Sequence, residues 1–136
     1  LLISLILIYF RLGIGKDSKV SSGETWAVRV PFSIYLGWIT VATIANVSDV
    51  LYFINWNGWG IGPLAWTVIM LVVAVVIASL MAITRRDVAY LLVLVWAFTG
   101  IANKLPAVSL IYTSALLAAV AAGLLAVYSL VVRRKA

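Results

Sequence analysis

Residues 35–49 read YLGWITVATIANVSD. The stretch is membrane-grade apolar sequence, yet Trp38, Asn46 and Asp49 recur in it at helical spacing, and the last two are polar. On a helix of about 3.6 residues per turn, Trp38, Ala42, Ala45, Asn46 and Asp49 share one face. Ser33 and Gly37 lie near that side and would admit another backbone. An ionised side chain at mid-bilayer costs roughly 2.5–3.5 kcal/mol on insertion scales, so such residues face the bundle interior or a water-filled cavity. The residues leave two readings open. One is a polar floor to an outward-opening pocket. The other is a helix–helix hydrogen bond from Asn46 with a solvated, interfacial Asp49.

The rest of the chain sets that helix in a membrane. Of 136 residues, 65% are hydrophobic and 10% charged, with a mean hydropathy of +1.18. A soluble domain is about half apolar and a quarter charged. The chain has no cysteine and no histidine. That excludes disulfides and thiolate metal sites, and removes the commonest haem ligand and general base. The net charge of +6 sits at the ends of apolar runs. There it orients helices in a bilayer, and no basic stripe with interleaved aromatics points to nucleic acid.

Five apolar runs are predicted as spans, at about 1–10, 28–54, 64–83, 88–103 and 107–131. The first run, LLISLILIYF, makes a helix of about 15 Å, half of a ~30 Å hydrocarbon core. It is expected to be the tail of a transmembrane helix that begins upstream. Lipid offers no partner for free backbone groups, which excludes open strands. The fold expected is therefore all-α: a polytopic transmembrane helix bundle, forming one domain over 1–136.

The connections alternate in charge. Residues 11–29 hold Arg11, Lys16, Lys19 and Arg29, residues 84–87 are TRRD, and the chain ends RRKA. Residues 55–63, NWNGWGIGP, carry no charge, and 103–106, NKLP, carry one lysine. The positive-inside rule places 11–29, 84–87 and the C-terminus in the cytoplasm. Segment 16–25, KDSKVSSGET, reads as a polar linker. Pro63 and Pro106 sit in or before a first helical turn, and Asp87 reads as the N-cap of the fourth span. A weak internal echo joins the second and fourth spans. Trp38 precedes Ile44-Ala45-Asn46, and Trp96 precedes Ile101-Ala102-Asn103, as in a parallel repeat of two hairpins.

Tyr52, Phe53, Trp56, Trp59 and Trp66 crowd the outer boundary, and Trp26 the inner one. An aromatic belt explains them, as does a ligand wall for a planar apolar molecule, with loop 57–62 as a lid. In the fifth span Ser114, Ala118, Ala122 and Ala126 recur every fourth residue, as do Ala115, Ala119 and Gly123. Small residues so spaced permit close helix packing, within the chain or with another subunit. Enzymatic signals are poor. There are no paired carboxylates, no phosphate loop, no zinc motif and no nucleophile elbow.

The block VPFSIYLGWITVATIANVS, with Tyr35, Leu36, Gly37, Trp38 and then Asn46 eight residues on, resembles the last helix of the tryptophan-rich sensory proteins. This TspO/MBR family is related to the mitochondrial translocator protein. The loop NWNGWG and the run AWTVIM resemble a long-chain branch of the group. The resemblance implies a helix bundle that binds porphyrins and other flat hydrophobic ligands, linked to tetrapyrrole handling and stress signalling. It implies that Trp38 and Ala42 line the ligand cleft and that Asn46 braces the helix. The chain departs from the family in having Ile34 before the tyrosine, with Pro31 earlier, and in lacking the Trp-Pro-rich loop. It also continues for three helices beyond the matching one.

The expected function is a non-enzymatic membrane receptor or carrier for a planar hydrophobic ligand. Trp38, Ala42, Asn46 and Asp49 would shape the site, with Tyr52, Trp56, Trp59 and Trp66 as its wall. No cofactor is assigned. A tetrapyrrole of the porphyrin, haem or chlorophyll type would be bound without histidine, any metal taking an axial water, Asn or Asp oxygen, or backbone carbonyl. The alternative is a small accessory subunit of a larger, pigment-containing membrane complex. A small transporter is the third reading. The expected partners are the bilayer and other transmembrane helices, from upstream chain, a homo-oligomer or a larger complex.

Overall fold

A computed structural model describes residues 1–16 and 19–135, with side chains as far as 132. Asp17 and Ser18 of the linker, and the side chains of the basic tail RRKA, lie outside the described residues. The chain is 83% helical, and no strand occurs among the described residues. Among the described residues it folds as an all-α membrane bundle of five helices: α1 (Leu2–Arg11), α2 (Ser22–Phe53), α3 (Pro63–Thr84), α4 (Val88–Lys104) and α5 (Ser109–Lys135). By length and hydropathy α2, α3 and α5 can cross a membrane, whereas α1 and α4 are shorter apolar helices.

The second helix starts earlier than the apolar run, inside the segment read as a linker. Ser21 accepts a hydrogen bond from the Glu24 N–H at 3.2 Å, and Glu24 pairs with Arg29 at 3.4 Å. A serine followed three residues later by glutamate is a capping signal, and it outweighs the polar composition around it. The next five residues, Thr25–Arg29, form a π turn, closed by the Val30 N–H on the Thr25 carbonyl. Pro31 follows directly. Its ring cannot pack against a carbonyl four residues back, and the wider turn carries the helix past it.

The register of contacts gives the topology. Ser33 meets Asp87, Gly37 meets Tyr90 and Val93, and Trp38 meets Trp96, so residue numbers rise together and α2 runs parallel to α4. A Cβ on Gly37 would sit 3.1 Å from the Val93 Cβ and 3.3 Å from the Tyr90 carbonyl. Glycine is what lets the two backbones approach this closely. Tyr9 reaches the same carboxylate as Ser33, while Leu1–Ile3 lie beside residues 39–46, so α1 runs antiparallel to α2.

The core lies between α3, α4 and α5. Ala74, Ala78 and Ala82 of α3 and Leu91, Leu94 and Phe98 of α4 pack with Ala115, Ala118, Ala119, Ala122 and Ala126 of α5. Lipid tails are as apolar as these side chains, so close packing of small residues, not escape from water, holds the helices. The alanines of the small-residue stripes of the fifth span are thus used against helices of the same chain, whereas Gly123 of the second stripe has open space beside it. Ser129 is also fully buried there, and its hydroxyl has no partner among the described residues.

Candidate functional site

Asn46 and Asp49 are exposed, and Ala42 is half-buried. The polar face of α2 is therefore not enclosed by the described residues. It opens laterally, with α1 on one flank. Ile39, Ala42, Thr43 and Asn46 recur every three or four residues along one side of α2, and with Leu1, Leu2 and Ile3 they line a groove of about 470 Å³. Thr43 donates its hydroxyl back to the Ile39 carbonyl at 2.7 Å, so its polar hydrogen is satisfied within the helix. The Asn46 amide is then the main polar group of this wall. The lining is mostly apolar, with Ala42 and Thr43 the small residues between Ile39 and Asn46, which suits an apolar molecule better than specific polar recognition.

Trp38 lies about a quarter-turn from this wall, on the side towards α4. It is 46% exposed and meets Trp96, with ring centroids 5.5 Å apart and planes tilted by 49°. The sequence echo thus brings its two tryptophans into contact. Asp49 continues the same face outward, and Tyr52 follows near the end of the helix, 83% exposed.

Trp56, Trp59 and Trp66 form a separate assembly. Their ring centroids are 5.3–6.0 Å apart, and none of them lines the groove. The Trp66 indole N–H donates to the Gly58 carbonyl at 2.9 Å, and the Asn57 side chain accepts the Trp59 N–H at 3.0 Å. Trp59 itself has φ +54, a left-handed conformation that costs a non-glycine residue about 1–3 kcal/mol. Its indole is left 77% exposed. An indole at the membrane boundary, with one edge in contact and one free, suits an interface of mixed polarity.

A second polar centre was only half legible in the sequence. Asp87 caps α4 by accepting the Tyr90 N–H at 3.2 Å, as the local pattern predicts. It is also buried, and its other oxygen accepts the hydroxyls of Tyr9 and Ser33, each at 2.6 Å. Arg85 is buried beside it. Its guanidinium stacks 4.4 Å from the Phe10 ring centroid and donates to the Ile14 carbonyl at 3.3 Å. Nothing in local spacing marks these as partners, since Tyr9 and Asp87 stand 78 positions apart.

No curated protein and no solved structure matches the chain. A family model described as TSPO-like protein matches residues 1–128, which take in α1 to α4 and most of α5. With its Tyr35–Asn46 block on a membrane-spanning helix, this chain belongs to the TSPO-like protein family.

Proposed function

We propose that the protein is a non-enzymatic membrane receptor or carrier that holds a planar hydrophobic ligand, a tetrapyrrole, in the lateral groove of α2. The observation that carries this reading is the groove itself. Two residues singled out by the sequence, Ala42 and Asn46, line it. Its volume of about 470 Å³ falls within the range of small-molecule sites, about 300–1,000 Å³. Ala42 keeps the wall low so that a flat ring system lies close to the backbone. Asn46 offers one amide to a polar substituent. Trp38, backed by Trp96, extends an aromatic rim beside it. Membership of the TSPO-like family supports the ligand class.

The test is a titration of the full chain in lipid nanodiscs with protoporphyrin, read by tryptophan quenching. Saturable quenching is expected. Ala42→Leu, which fills the groove, should weaken binding about tenfold, a loss of about 1.4 kcal/mol. Absence of saturable quenching, with a stoichiometric partner retained through purification, would favour the accessory-subunit reading. The packing of the α5 alanines within this chain supports the receptor reading over that alternative.

A further inference from the structure

One wall of the groove is α1, whose helical packing is chiefly against α2. Its Leu1–Ile3 end borders the groove together with Ile39, Ala42, Thr43 and Asn46 of α2. At its other end it is held differently. Tyr9 is 2% exposed, and its hydroxyl donates to Asp87 Oδ2 at 2.6 Å. Ser33 of α2 donates to the same oxygen at 2.6 Å, and the Tyr90 N–H of α4 to the other at 3.2 Å. Arg85 adds its stacking on Phe10 and its bond to the Ile14 carbonyl. Gly15, at φ +83, lies so close to the Arg85 carbonyl that a Cβ would fall on that oxygen. One buried carboxylate thus ties α1, α2 and α4 together, away from the groove. Hydrogen bonds in a dry site, where water does not compete for donor and acceptor, are stronger than exposed ones.

We propose that the Tyr9–Asp87 hydrogen bond is a latch that sets the tilt of α1 and so the width of the groove, making Tyr9 and Asp87 positioning residues for the ligand. This rests on the groove being the ligand site proposed above. From Tyr9 to Leu2 is about 10 Å of helix, so a ten-degree tilt pivoting at Tyr9 moves the groove wall by about 2 Å. A shift of that size exceeds what a close-fitting site for a flat ring tolerates.

The chain is free of cysteine, so Ser4→Cys and Val47→Cys introduce two unique sites for spin labels. The double-labelled full chain in nanodiscs should give one narrow distance distribution. Tyr9→Phe keeps the ring and loses the hydroxyl. It should raise the population of longer distances about tenfold. Ser33→Ala removes a bond to the same oxygen without freeing α1, and should keep the narrow distribution. Leu71→Ala, which loosens the core between α3 and α5 and lowers the melting temperature, should keep it too. An unchanged distribution in Tyr9→Phe, or equal broadening in Leu71→Ala, overturns the proposal. Protoporphyrin dissociation should be several-fold faster from Tyr9→Phe. If the unmutated protein binds no protoporphyrin, the ligand reading fails, while the label distances still decide whether the latch exists.

Discussion

The indoles of Trp38 and Trp96 meet with ring centroids 5.5 Å apart, one from each half of the sequence echo. A tilted aromatic pair contributes about 0.5–1.5 kcal/mol beyond the area it covers. A double-mutant cycle with Trp38→Leu and Trp96→Leu should therefore give a coupling energy of about 1 kcal/mol in a reversible unfolding assay in bicelles. Strict additivity would mean that the two rings are neighbours without interaction.

At Gly37 α2 and α4 approach closely, with Val93 Cβ 3.1 Å from any added Cβ. Gly37→Val should force the helices apart and destabilise the protein by about 1–3 kcal/mol. Gly100 and Gly123 have open space around their α-carbons, so the same substitution there should have a far smaller effect. Melting temperatures of the three variants check the ranking.

Ser129 buries a hydroxyl with no partner among the described residues. A buried polar group without a hydrogen bond is a cost. Ser129→Ala removes it at nearly the same volume in a helix that already favours alanine. The expected result is neutral or stabilising, by up to about 1 kcal/mol, read as an unchanged or raised melting temperature.

The charge pattern of the connections predicts that Lys19 and Asn57 lie on opposite sides of the membrane, with Lys19 in the cytoplasm. Single cysteines at these positions in intact cells should separate cleanly. Asn57→Cys should react with a membrane-impermeant maleimide, and Lys19→Cys only after lysis. Labelling of both from outside would reverse or dissolve the proposed orientation, and with it the cytoplasmic C-terminus.

Much of this architecture is written locally. Hydropathy and length decide that the chain is helical in lipid, because a bilayer leaves backbone groups no partners but their own helix. The N-cap of α4 is legible because Asp87 bonds an N–H only three residues on. The start of α2 at Ser22 is just as local, and the reading of 16–25 as linker missed it by weighing polarity above the Ser21–Glu24 capping pattern.

What the sequence by itself determined is which residues share a helix face, including the one carrying Trp38, Ala42, Asn46 and Asp49. Helical periodicity is a property of the backbone and needs no neighbour. Only the tertiary structure decided what that face looks onto. It opens beside the first turn of α1, and Trp96 abuts Trp38 at its edge. It likewise decided that Asp87 is more than a cap, since the hydroxyls of Tyr9 and Ser33 reach it from 78 and 54 positions away. Those pairings follow from how helices cross and how deeply they sit against one another, and no spacing along the chain encodes that.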